Sequence, residues 1–315
     1  MKMEKKTVAL AILLMAIVAV GPVLADSPPV NVPTTAQVTG SHSPPVFKWK
    51  WELPDEDPFV TCTQVWPVPF GIKVVTCYMV VWDPNGPSDI QRVFIKVFYP
   101  NGTEKYQIEA VEILPETDIF DEIDQGVTNG CIPLVNATDM KEELTEHEAR
   151  AFMASFEMHH KQPPGCYKII GYAVDTAGNT GTIENEFTYY SLKFLAIDFA
   201  GGINFGDIVP CVEQIVSGDQ NMGTPQKPTV QNGGNDPFYI SVHFTNMTGT
   251  NLNKKISDFD AVFLAQKIGC TACTTYTFAN MLEVCHTEKM DFSVHAPLGT
   301  PVDTYTGTVT ISIAP

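Results

Sequence analysis

Cys270 and Cys273 stand in a Cys-x-x-Cys turn, with Cys285 and His286 following as an adjacent pair. Such a turn aims two thiolates at one point, so these four residues have the form of a zinc site. The same thiols, joined by Cys211, could instead form disulfides, and a Cys-x-x-Cys dithiol could also be redox-active. Oxygen chemistry has two candidates. Asp118, Asp121, Glu122 and Asp124 form an acidic stretch closed by Gly126, and Asp55-Glu56-Asp57 is a second one. Calcium favours oxygen-rich loops of this kind, although the spacing is not that of an EF-hand. No cofactor is required by these motifs, and calcium is the one that the acidic stretches could take.

Other motifs fail on inspection. His147-Glu148-Ala149-Arg150-Ala151 opens like a zinc-protease helix, but Ala151 stands where the second histidine must reach the metal from the same face. His159-His160 reads as a pair at a helix C-terminus, where it would interact with the helix dipole. No Gly-x-Ser-x-Gly elbow, phosphate loop or dinucleotide fingerprint occurs, so nucleophile and nucleotide enzymes have no motif behind them. The chain is expected not to be an enzyme. A glycosidase carboxylate pair is the exception that sequence cannot address, because its two acids meet only in the fold.

The chain has 315 residues and eight cysteines. A basic start (Lys2, Lys5, Lys6), an apolar run from Val8 to Val20 and a small-residue site at Val23-Leu24-Ala25 predict a signal peptide over residues 1–25. Once this is removed, no apolar run long enough to span a membrane remains. Export makes disulfides the expected state of Cys62, Cys77, Cys131 and Cys166 in the first half, and of Cys211, Cys270, Cys273 and Cys285 in the second. Closing the Cys131 to Cys166 loop would contribute about 3 to 4 kcal/mol in a chain-entropy account. Export also gives meaning to three N-glycosylation sequons, at Asn101, Asn136 and Asn246.

With 19 basic against 36 acidic residues, the net charge is −17, and loss of the basic leader makes it more negative. Nucleic acid and anionic lipid attract clustered Lys and Arg, so neither is an expected partner. Other extracellular or cell-surface proteins, glycans, cations or further copies of the chain remain.

The elements that must position these residues are mostly strands. Residues 26–57 comprise a Pro-rich spacer and a first strand, in which Phe47-Lys48-Trp49-Lys50-Trp51 alternates aromatic with Lys, as a half-buried strand does. That strand belongs either to its own domain or, donated, to a neighbouring subunit. Residues 58–191 are expected to form one sandwich. Ile72 to Trp82 and Val93 to Tyr99, separated by Asp83-Pro84-Asn85-Gly86, suggest an antiparallel pair, and Cys166–Val174 with Thr182–Tyr190 suggests a closing hairpin. Between them, residues 138–161 carry Met140, Leu144, Phe152, Met153 and Phe156 among charges and read as an inserted amphipathic helix. Residues 192–315 alternate again, as in Ile240, Val242 and Phe244, and predict a second sandwich.

Several turns and strand ends resemble those of archaeal secreted and cell-surface proteins built from immunoglobulin-like β-sandwich domains. They include Val81-Trp82-Asp83-Pro84-Asn85-Gly86, Asp175-Thr176-Ala177-Gly178-Asn179, Phe205-Gly206-Asp207-Ile208 and Pro228-Thr229-Val230-Gln231-Asn232-Gly233-Gly234-Asn235. The Phe-Gly-x-Ile and Asn-Gly-Gly-Asn segments are also similar to those of bacterial matrix-fibre proteins that assemble by exchanging strands. Both groups commonly carry Gly where this chain has Cys211. The resemblance implies an all-β chain of two immunoglobulin-like antiparallel sandwiches, the first with an inserted helix. The expected function is that of an exported structural or adhesion protein at the cell surface or outside the cell. The alternatives are a calcium- or zinc-binding extracellular module and a strand-exchanging filament subunit.

Overall fold

The computed structural model describes residues 43–57, 59–60 and 63–315. The expected signal peptide, most of the expected Pro-rich spacer and Cys62 lie outside the described residues. The chain is all-β, as its alternating patterns require, and builds two β-sandwiches that belong to one compact unit.

The first sandwich contains nine strands: β1 (Val46–Leu53), β2 (Thr63–Val65), β3 (Ile72–Trp82), β4 (Ile90–Phe98), β5 (Glu104–Glu109), β6 (Val111–Glu112), β7 (Ala149–His159), β8 (Gly165–Asp175) and β9 (Thr180–Tyr189). One sheet runs β1-β3-β7-β6 and the other β2-β9-β8-β4-β5. This is an immunoglobulin-like distribution, with all pairs antiparallel except β2, which lies parallel to β9. The expected hairpin of the 72–82 and 93–99 strands does not form. β3 and β4 lie in different sheets, because the Asp83 to Asp89 connection turns the chain across the sandwich instead of back along its own sheet. The closing β8–β9 hairpin is present, with Ala173 opposite Gly181 and Gly165 opposite Tyr189.

The helical expectation for 138–161 is corrected. Two α-helices occur among the described residues, α1 (Phe120–Thr128) and α2 (Leu134–Thr145), and residues from Ala149 onward form the long strand β7. Met140 and Leu144 do sit on a buried helix face. The later apolar residues, however, follow the other period: Ala154, Phe156 and Met158 point into the core while Met153, Ser155 and Glu157 point out. The acidic stretch from Asp118 to Gly126, expected as a loop, is helical from Phe120 onward, with Ile123 and Gly126 facing inward.

These helices form a third layer. Ile119, Ile123, Met140 and Leu144 pack on Trp51, Leu53 and Val80 from the outer face of the β1-β3-β7 sheet. The inner face contributes Cys77, Met79 and Val81 to the core between the sheets, where they meet Val97, Tyr167 and Phe187. β1 is therefore covered on both faces. Trp51 and Leu53 go to the helices, and Lys50 and Glu52, one residue out of phase, are turned toward the sandwich interior. Phe47 to Trp51 thus pairs with β3 of its own domain, Lys50 lying opposite Met79.

The second sandwich holds β10 (Leu195–Ile197), β11 (Glu213–Val216), β12 (Thr229–Asn232), β13 (Phe238–Phe244), β14 (Met247–Gly249), β15 (Lys255–Ile256), β16 (Asp258–Phe263), β17 (Gln266–Thr271), β18 (Thr275–Leu282), β19 (Thr287–His295), β20 (Tyr305–Thr306) and β21 (Val309–Ile313). Its larger sheet runs β10-β12-β19-β16-β17 with β11 also on β19, and the facing sheet is β18-β13-β21. The core is rich in phenylalanine: Phe244 stacks on Phe259 with ring centroids 4.6 Å apart, and Phe263 packs on Phe278 at 5.4 Å. Each such ring contributes about 1.5 to 3 kcal/mol when fully buried.

The sandwiches are joined by a short, pinned segment. Leu192 N–H donates to Asn235 Oδ1 at 2.6 Å, Asn235 N–H returns to Leu192 C=O at 2.9 Å, and Asn235 Nδ2 reaches Tyr190 C=O at 2.9 Å. Phe70, at left-handed φ 54°, donates its N–H to Gly233 C=O at 3.0 Å and sets its ring edge-on to Phe194. Gly233 is required here because a Cβ would collide with the Phe70 ring.

Candidate functional site

Three polar clusters carry the chemistry that the fold assembles. The first lies inside the first sandwich. Strand alternation turns Lys50 and Glu52 inward from β1, and it turns Asn185 inward from β9, in phase with Phe187 and Tyr189. The Lys50 and Glu52 side chains are fully buried and paired, Nζ to Oε1 at 2.6 Å. Lys50 Nζ also donates to Asn185 Oδ1, while Asn185 Nδ2 donates to Glu52 Oε2 at 2.6 Å. Each carboxylate oxygen therefore holds one nitrogen, and the amine and the carboxamide touch. Burying a lone charge costs several kcal/mol, so a Lys-x-Glu pair is stable in this place only as a pair. Across the β1–β3 pairing, Cys77 stands opposite Glu52. Burial pushes its thiol far up, opposed by the Lys50 charge and reinforced by Glu52, so it stays protonated. A cavity of about 340 Å³ lined by Trp49, Trp51, Cys131 and Asn185 adjoins the cluster.

The second cluster joins two turns at one end of the same sandwich. Asp83, Asp89 and Asp175 are all buried, and one oxygen of each lies within 4.8 Å of the others. Asp83 accepts from Asn85 N–H at 2.7 Å, and Asp175 accepts from Asn179 N–H at 2.7 Å and from its side-chain amide at 2.8 Å. Burial alone would raise the Asp175 carboxyl. The Asn179 amide and the backbone N–H groups of Asn179 and Ala177 outweigh it and hold the group below its ordinary value, against the charge of Asp89. The carboxylates thus brace the Trp82 to Gly86 and Asp175 to Asn179 turns. An oxygen-only set of this kind is also what hard cations prefer.

The third cluster covers the outer face of the larger sheet in the second sandwich. Lys267 on β17 lies 2.9 Å from Asp260 on β16 and 3.1 Å from Glu213 on β11. His295 Nε2 is 2.7 Å from Asp260, and Ser293 Oγ donates to Glu213 at 2.8 Å and to Asp260 at 3.2 Å. Hydrogen bonds from Ser293 and Lys267 lower the Glu213 carboxyl. Asp260, which burial would raise, is lowered by Lys267 and His295, and the Lys267 ammonium is correspondingly raised. Glu213, Asp260 and His295 have metal-ligand spacing, but the lysine ammonium already supplies the cation between the carboxylates. The serine hydroxyl is engaged by the two carboxylates and not by the histidine, so the group is an ion-pair network and not a nucleophile with its base. An apolar groove of about 340 Å³, lined by Phe199, Phe205, Phe244, Met247, Val309 and Ile311, runs beside the edge strand β21.

The residues singled out from sequence are mostly dispersed. Cys273 N–H bonds Phe244 C=O at one end of β18, whereas His286, next to Cys285, bonds Asn232 and Glu283 at the other. β18 has eight residues between them, so the zinc arrangement of Cys270, Cys273, Cys285 and His286 is not made. Cys270 points into the core, where burial pushes its thiol up to about 11. Asp118, Asp121 and Asp124 lie on the solvent side of a helical segment, with Asp124 paired to Lys141 at 2.6 Å, and their oxygens do not converge. Asp55 instead accepts from the N–H groups of Asp57 and Gln64, and Glu56 pairs with Lys73 at 2.5 Å. His159 ends a strand and not a helix, and the buried His160 beside it contacts Gly71 C=O at 3.2 Å.

The seven described cysteines, Cys77, Cys131, Cys166, Cys211, Cys270, Cys273 and Cys285, are all free thiols. Cys131 faces Thr63 and Asp55 while Cys166 faces Thr188, so a Cys131 to Cys166 bridge is not formed. Cys211 adopts φ 63°, the left-handed conformation natural to glycine. Among the sequons, Asn101 sits in an exposed turn, with Thr103 Oγ1 donating to its Oδ1 at 2.7 Å. Asn136 lies on α2, and Asn246 is half-buried with Nδ2 directed at Cys273 Sγ, 3.6 Å away.

The sequence matches no known protein family and no curated protein. Among solved structures, it is similar to the secreted serine protease VesC from Vibrio cholerae, at 9% identity and TM-score 0.21 over 81% of this chain and 50% of that one. The chain thus spans half the length of that protease. It is also similar to the C-terminal domain of the Streptococcus pyogenes antigen I/II-family protein AspA, at 11% identity and TM-score 0.23 over 86% of this chain and 95% of that one. Carbohydrate-binding modules of the β-sandwich superfamily align at 7% identity and TM-score 0.22, over 87% and 97% of the two chains.

Proposed function

We propose that the protein is a non-enzymatic structural or adhesive unit of the cell surface or extracellular space, presenting two rigidly coupled sandwiches to other surface proteins or glycans. The observation that carries this reading is the junction. The reciprocal Leu192–Asn235 bonds, with Asn235 Nδ2 on Tyr190, leave no free linker, so the two domains act as one body and not as independently swinging modules. The polar clusters support the same reading, since each joins strands or turns to one another within the fold and none of the three offers a nucleophile to an outside substrate. No helix among the described residues is long and apolar enough to cross a membrane.

The test is fractionation of the producing cells, with binding of the purified full chain to isolated cell envelope and assays on peptide and glycan substrates. Recovery from the surface or medium with saturable envelope binding is expected. Turnover of a peptide or glycan, or recovery from the cytosol, overturns the proposal. A chelator-sensitive unfolding temperature would favour the metal-stabilised module instead, and concentration-dependent polymers the strand-exchanging subunit.

A further inference from the structure

We infer that Lys50 and Asn185 are joined by an intramolecular isopeptide bond, formed by the folded protein itself with Glu52 as the proton carrier. All three requirements of the reaction are met in one place. The nucleophile, Lys50 Nζ, touches the carboxamide of Asn185 and is held 2.6 Å from Glu52 Oε1. The leaving group, Asn185 Nδ2, is 2.6 Å from the other oxygen of the same carboxylate. Water is kept from the pair, because the Lys50 and Glu52 side chains are 0% exposed.

The step balances without any oxidant, metal or co-reactant. A proton passes from the Lys50 ammonium to Glu52, which turns two buried charges into two neutral groups. The free Nζ pair then adds to Asn185 Cγ. A second proton moves from Nζ to Nδ2, the Cγ–Nδ2 bond breaks, and ammonia leaves as the new Cγ–Nζ amide forms. Glu52 returns its proton to the departing ammonia and is again a carboxylate. The adjoining cavity, bounded by Trp49, Trp51 and Asn185, gives the ammonia a place to go. Proximity of this kind is the main requirement for amide exchange between two otherwise unreactive side chains.

The placement also gives the bond a purpose. β1 opens the first sandwich and β9 closes it, they belong to different sheets, and the joined residues are 135 positions apart. A covalent link there ties the two sheets together and shunts tension entering at β1 directly to the strand that leads into the second sandwich. This inference rests on the geometry of the three side chains and not on where the protein works.

The experiment is proteolysis of the full-length purified protein after denaturation, followed by tandem mass spectrometry. A branched peptide joining the Lys50 and Asn185 segments, lighter than their sum by one ammonia molecule, is expected. Recovery of Lys50 and Asn185 on separate linear peptides with unchanged masses overturns the inference. In Glu52→Gln the cross-link should form about 100-fold more slowly or worse, because the proton carrier is lost. A Glu52→Gln protein cross-linked as fast as the parent would remove Glu52 from the reaction. Should that variant not fold, the wild-type peptides decide the question by themselves.

Discussion

The two sandwiches solve the same packing problem with different materials. The first places charged groups in its interior: Lys50 and Glu52 between the sheets, and Asp83, Asp89 and Asp175 beneath its end turns. The second keeps its centre apolar, with Phe244, Phe259, Phe263, Phe278 and Phe292 all buried, and sets its ion pairs on the outer face around Lys267. A buried pair specifies which strands face each other but punishes any single loss, whereas an aromatic core is tolerant and an exposed network is weak. The first sandwich should therefore be brittle toward point changes in its polar groups, and the second toward changes in its rings.

The sharpest contrast comes from Lys50→Met, which strands the Glu52 carboxylate and removes the cross-link. A loss of at least about 5 kcal/mol is expected in denaturant unfolding. Phe259→Ala, which unstacks Phe244 in the second sandwich, should cost about 3 to 5 kcal/mol in the same measurement. If the two changes melted the same sandwich first, the division of labour drawn here would fail. A probe in each sandwich, Trp51 fluorescence and proteolysis near Phe278, distinguishes the two events.

Acid should act on the second sandwich through its network. Glu213 and Asp260 are both held below their ordinary values, so the stability they contribute is fully present above the unfolded carboxylate range near about pH 4. It is lost as pH falls through their lower folded values. A titration of unfolding midpoint should show this decline below about pH 4, and Lys267→Gln should flatten it. The smallest effect is expected at the exposed Lys168–Glu184 pair, 3.4 Å apart, where Lys168→Ala should change stability by about 0.5 kcal/mol or less.

Much of the fold is legible in single strands. Ile72 to Trp82 is read to the residue, and the β8–β9 hairpin follows from its apolar alternation and the Asp175 to Asn179 turn. The errors arise where two periods compete. Ala149 to His159 contains residues spaced for either a helix or a strand, and only the pairing of β7 with β3 across eleven positions decides for the strand. The metal candidates fail for a related reason. Closeness in sequence is not closeness in space when an eight-residue strand runs between Cys273 and Cys285.

By itself, the sequence determined the all-β class, strands such as Ile72 to Trp82 and the absence of nucleotide or nucleophile motifs, because those depend on local alternation and turn chemistry. Tertiary structure decided which residues meet. The aromatic and Lys alternation of Phe47 to Trp51 marks a half-buried strand, and Lys50 is nevertheless a core residue because helices cover the outer face of β1 and leave Lys50 and Glu52 facing Asn185. That encounter joins residues 135 positions apart, and no local pattern encodes a contact at such separation.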